Sequence, residues 1–179
     1  CTAILFPMSS LLEKLVHKLV PDGASEEQKI VLDERLFTTP SLALELAETR
    51  TSEMAEKSVN TLLKGIEAFS SYSPALADEI RKGEDETDKY EDVLGTYLFK
   101  LNSHGLSDLE SLENAKLLKI IGDFERISDH GVNLLEAVEE LREKKITFTA
   151  NATAELNTLF SAIIIYFFIL FVAKFKTTF

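Results

Sequence analysis

The feature that most restricts this chain is a series of helix-start signals separated by long helical periodicity. Thr39–Pro40 reads as an N-cap and a first helical residue. Proline fixes the φ a helix needs and gives up an N–H that would be orphaned there anyway. Ser73–Pro74 repeats the signal, and Ser107 with Glu110 forms a capping box. From Pro40, apolar residues at helical spacing run through Met54, Ala55, Val59, Leu62, Leu63 and Ile66 to Ser70. The second stretch carries Ile80, Tyr90, Val93, Leu94, Tyr97 and Leu98 and runs to Leu101, with Gly83 as a local weak point. The third predicts a heptad seam of Ile120, Phe124, Ile127, Gly131, Leu134, Val138 and Leu141. It fades at Arg142, Lys144 and Lys145, whose charges suit a helix C-terminus. Seven glycines and four prolines in 179 residues leave few breakers, and no bounded period-two alternation appears. The expected class is all-α, an antiparallel bundle of long helices with short connections.

The ends differ from this middle. "MSSLLEKLVHKLV", residues 8–20, has Leu12, Leu15, Val16 and Leu19 on one face of a short amphipathic helix. "PDGASEEQ" then opens a linker over 21–39, with Ser25 and Gln28 as a weak capping pair. Residues 40–145 are the expected bundle, and 146–179 begin a further helix near Thr153. Its apolar run, Leu159 to Ala173, would be about 22 Å long as a helix, short of a hydrocarbon core of about 30 Å. The run is read as a buried or truncated helix, with a membrane-associated or partner-covered helix as the alternative. "CTAILFPMSSLL" is neither a signal peptide nor of bilayer length, so residues 1–20 read as the end of an upstream region.

Thirty acidic residues against nineteen basic ones give a net charge of −11. Such a field repels nucleic acid and anionic lipid surfaces, so nucleic acid is not an expected partner. The single cysteine, Cys1, excludes a disulfide framework and Cys-based metal spacings. No glycine-rich loop is present to cradle phosphate. A di-iron bundle site needs Glu-x-x-His, but Lys14, Leu101 and Ile127 stand three before His17, His104 and His130. His130 reads as a packing or capping residue, and the Asn151–Ala152–Thr153 sequon as chance. No catalytic residues and no organic cofactor are expected.

Two acidic stripes remain: Glu84, Asp88 and Asp92 on the second helix, Glu125 and Asp129 on the third. At about 100° per residue both fall outside the expected seams, with Glu125 and Asp129 roughly opposite theirs. Carboxylates four apart repel by about 0.2–0.5 kcal/mol per pair, a cost that a bound cation removes. Hard oxygen ligands suit Mg²⁺, Ca²⁺, Mn²⁺ or iron. Acidic runs on helices are ordinarily solvated faces, and spacing alone leaves both readings open.

"DFERISDHGVNLLEAVEEL" and "GEDETDKYEDVL" resemble the third and second helices of a PhoU-type repeat. "TAILFPMSSLLEKLVHKLVPD" followed by "LDERLFTTPSLALELA" is similar to the junction in bacterial sodium/phosphate cotransporters, where the last membrane helix leads into a cytoplasmic PhoU-like domain. The resemblance implies a three-helix bundle whose paired Glu/Asp-x-x-x-Asp motifs bind metal on the bundle surface. Glu84 and Asp88 match the first motif, Glu125 and Asp129 the second; Asp92 continues the first stripe, and Asn133 matches the Asn after the Asp–His pair. It implies a non-enzymatic regulatory domain at the cytoplasmic side of the cell membrane, holding Fe, Mn, Zn, Mg or Ca and meeting phosphate only indirectly. The implied partners are the membrane domain of the same transporter and a second copy of the chain. Only the first helix of the family's usual second repeat would fit in the remaining sequence. A metal-free docking or dimerisation bundle is the competing expectation.

Overall fold

A computed structural model describes residues 30–177 of the chain. A short 3-10 turn, Glu34–Thr38, precedes α1 (Pro40–Ser71), α2 (Pro74–Leu101), α3 (Asp108–Glu143) and α4 (Ala150–Thr177). No strand occurs among the described residues, so the class is all-α. Residues 30–147 form one compact unit, and α4 belongs to another. The expected helix at 8–20, and the linker as far as residue 29, lie outside the described residues. No helix among the described residues is long and apolar enough to cross a membrane.

Local chemistry sets the helix ends. The Leu76 N–H donates to Ser73 Oγ at 3.1 Å. Ser107 Oγ accepts from the Glu110 N–H while the Ser107 N–H donates to Glu110 Oε2 at 2.9 Å, completing the capping box. Thr39 precedes Pro40 without a side-chain cap bond, so proline geometry alone opens α1. Gly105, at φ +71°, turns the chain between α2 and α3 in a conformation that side chains disfavour.

Ion pairs Lys57–Glu86 and Lys64–Glu79 set α2 antiparallel to α1, and Arg81–Glu139 together with the approach of Gly95 to Ile121 sets α3 antiparallel to α2. The core is in two parts. Toward the α2–α3 turn lie Leu44, Met54, Tyr90, Leu94, Tyr97, Leu98, Leu101 and Ile121; toward the α1–α2 turn lie Ala68, Ala77, Ile80, Leu135 and Val138. Between them is a waist of small and polar residues: Ser58, Thr61 and Gly65 on α1, Gly83 and Thr87 on α2, Ser128 and Gly131 on α3. The hydroxyls of Ser58, Thr61 and Thr87 donate to carbonyls of their own helices at 2.9–3.0 Å, so burying them leaves no donor orphaned. A Cβ on Gly65 would sit 2.6 Å from the Gly131 carbonyl oxygen. Here α1 and α3 touch backbone to backbone.

The waist corrects the seam expected on the third helix. The buried stripe of α3 is Asn114, Leu117, Ile121, Ser128, Gly131, Leu135 and Val138, while Ile120 is 39% exposed and Ile127 and Leu134 are half-buried. The helix is turned by about one residue from the apolar reading. Close helix approach selects small residues, and hydrophobicity does not register Ser128 or Asn114.

The stretch 30–39, expected as the end of a linker, packs onto the bundle instead. Phe37 is buried with its ring centroid 4.8 Å from those of Tyr97 and His104. The Tyr97 hydroxyl donates to the Asp33 carbonyl at 3.3 Å, and Lys100 pairs with Glu34 at 2.6 Å.

Candidate metal centre

Turning α3 by one residue moves its acids. Glu125 and Asp129 are not opposite the buried stripe but beside it, half-buried on the flank that faces α2. Glu84, also half-buried, and Asp88, exposed, come up from α2 at the same level. One carboxylate oxygen each from Glu84, Asp88 and Asp129 lie within 4.8 Å of one another. Asp88, Glu91, Asp92 and Glu125 line an open groove of about 310 Å³ that continues from this trio. The five expected residues thus gather along one α2–α3 groove, with Asp92 exposed at its far end and outside the trio. Glu91 was missed. It stands three residues after Asp88 and seven after Glu84, a helical stripe that the four-residue motif passes over. His130 is exposed and not part of the cluster.

Electrostatics marks the groove as unbalanced. Several acids elsewhere on the bundle are ion-paired: Glu53 with Arg50, Glu79 with Lys64, Glu86 with Lys57, Glu139 with Arg81. Among the described residues, none of Glu84, Asp88, Glu91, Asp92, Glu125 and Asp129 has a Lys or Arg partner within ion-pair distance. Glu84 is pushed above the ordinary carboxylate range by partial burial, then by Asp88, Asp85, Asp129 and Glu125. Asp88 rises through partial burial and the charges of Asp129, Asp85 and Asp92, against a lowering hydrogen bond from Glu84. Glu125 rises through partial burial, the Asp129 charge and a hydrogen bond to Asp129, then Asp88 and Glu91. Each proton taken up relieves repulsion, and a cation would do the same more completely.

The donor set fits a hard cation. Oxygens facing each other across Ca²⁺ at about 2.4 Å per bond are about 4.8 Å apart, and across Mg²⁺ about 4.2 Å. The trio's oxygens lie within the first of these spans. Glu125, through Asp129, and Asp88, shared by trio and groove, leave room for a second ion or for water to complete the shell.

The described residues thus present a three-helix bundle with a carboxylate groove between α2 and α3. In the comparison with known families, residues 51–138 match the PhoU domain, which supports a PhoU-like bundle over that stretch. That family comprises regulatory helical domains of phosphate transport rather than enzymes. No curated protein and no solved structure matches the chain.

Proposed function

We propose that this domain is the cytoplasmic regulatory module of a sodium-dependent phosphate transporter, and that it modulates transport according to cation occupancy of its α2–α3 groove. The observation that carries the reading is the convergence of Glu84, Asp88 and Asp129 without a basic partner, within a PhoU-like domain. A bound divalent or iron-type ion stabilises the charge-crowded groove and ties α2 to α3. The loaded groove presents a less negative face to the membrane part of the transporter or to a second copy of the chain. Phosphate, an anion, meets this face only through the cation.

The test is elemental analysis of the chain purified without chelator, beside a variant with Glu125 and Asp129 both changed to Ala. Calorimetric titration with Mn²⁺ and Ca²⁺ accompanies it. Metal in the parent, or saturable binding on titration, that is lost in the variant is the expected result. Equal binding by two equally folded proteins moves the ligands elsewhere, and no binding by either leaves a docking bundle with a solvated acidic face.

A further inference from the structure

A second groove adjoins the first. It holds about 440 Å³, lies between the 30–34 stretch and α2, and is lined by the apolar Ile30, Leu32 and Val93, by Tyr97 and Thr96, and by the acids Glu34 and Asp92. Its size is that of a site for a few side chains. Val93 is 37% exposed there. Asp92 belongs to both grooves, so the apolar floor runs into the uncompensated acids Asp88, Glu91 and Glu125. An apolar strip edged on one side by unpaired negative charge is complementary to one kind of peptide surface. That surface is an amphipathic helix with aliphatic anchors at three–four spacing and Lys or Arg beside them.

We propose that this strip is a docking surface for a basic amphipathic helix of a partner protein. Aliphatic side chains would enter over Val93 and Leu32, and basic side chains would lie toward Asp92 and Glu91. The charges steer and orient, and the apolar floor supplies the specificity that net charge alone lacks. The proposal does not rest on cation binding, and its test is made in chelator.

The probe is a fluorescein-labelled helix of about 14 residues, about four turns, with Leu at three–four spacing flanked by Lys. Its binding is followed by anisotropy, beside a version with Glu for Lys. Val93→Glu is the decisive variant, because it makes the protein more negative while spoiling the floor. Attraction by net charge alone predicts tighter binding by V93E; the docking strip predicts binding about tenfold weaker. D92K should weaken binding as much, and Glu67→Lys, the same charge change at an exposed site on α1, should leave it within about twofold. Circular dichroism confirms that each variant is folded. Binding tightened by V93E, lost equally in E67K, shared by the Glu peptide, or absent in the parent at low salt overturns the proposal. So does concentration-dependent self-association that V93E abolishes while the peptide does not bind, which would make the strip a contact between copies.

Discussion

Replacing Asp129 by Asn should change the stability of the bundle with opposite signs in the absence and presence of cation. Of the carboxylates beside Asp129, Glu84 and Asp88 lie at separations of no more than 4.8 Å. Two unit charges at that distance repel by about 0.9 kcal/mol in water and about 3.5 kcal/mol at an effective dielectric of 20. The groups are partly exposed and salt screens them, so the two pairs together cost about 1–2 kcal/mol at neutral pH. In chelator the variant should therefore melt higher than the parent, by about 4–8 °C for a unit of this size. A cation at a hundred times its dissociation constant adds about 2.7 kcal/mol to the parent. The variant, short of one charged ligand, gains less, and the order of melting temperatures reverses. Thermal unfolding in EDTA and in saturating Mn²⁺ or Ca²⁺ reads both signs. A variant that melts lower than the parent in EDTA would refute the reasoning, because Asp129 would then be held by favourable contacts.

The same crowding sets a pH dependence. Glu84, Asp88 and Glu125 are raised, so the folded state binds their protons more tightly than the unfolded chain does. Stability in chelator should rise as pH falls from 7 through their raised values, in urea titrations at stepped pH. Further down the sign changes: Asp33, held at about 2 by hydrogen bonds from Arg35, and the lowered Glu110 and Glu140 lose their contributions as pH falls below the ordinary carboxylate range. With cation bound that gain should vanish, since protons then compete for the ligands. Phe37→Ala empties an aromatic site between Tyr97 and His104 and should cost about 3–5 kcal/mol, with faster tryptic cleavage after exposed Arg35. Gly122→Ala meets nothing within 4 Å on α3 and should stabilise by about 0.5–1 kcal/mol in chemical unfolding.

How far the sequence carries depends on the range of the chemistry involved. Ser73, Ser107 and the prolines mark helix starts because capping is settled within four residues, and α1–α3 begin where those signals stand. Phe37 carried no periodic signal, and its docking depends on Tyr97 and His104, some sixty residues on. The rotation of α3 was hidden for another reason: its closest contacts are made by Ser128 and Gly131, chosen for size, while Ile127 and Leu134 attract an apolar reading. The error carried into the site. With Ile127 inward, Asp129 points away from α2; with Ser128 inward, it faces Asp88. The identities of the five acids were legible from four-residue spacing, but their convergence was not, and Glu91 lay off the motif.

The waist and the carboxylates form one mechanical unit, and a variant that touches no ligand tests this. Ser128 and Gly131 bracket Asp129 on α3, Gly83 precedes Glu84 on α2, and Thr61 of α1 lies against both glycines. A Cβ on Gly131 would sit 2.7 Å from the Thr61 carbonyl oxygen and 3.0 Å from the Leu62 nitrogen, backbone atoms that cannot swing aside. Gly131→Ala must therefore move α3 off α1. The helix-propensity gain of about 1 kcal/mol is outweighed by overpacking of about 1–3 kcal/mol, for a net loss of up to about 2 kcal/mol. A shift of α3 by even half an ångström carries Asp129 relative to Glu84 and Asp88, and a small cation with short bonds to oxygen tolerates that poorly, a larger one better. Calorimetry should thus show G131A losing affinity for Mg²⁺ or Mn²⁺ by more than for Ca²⁺, with every acid in place. Unchanged affinities in a folded but destabilised G131A would mean that the groove adjusts on its own, and that the tight waist serves packing alone.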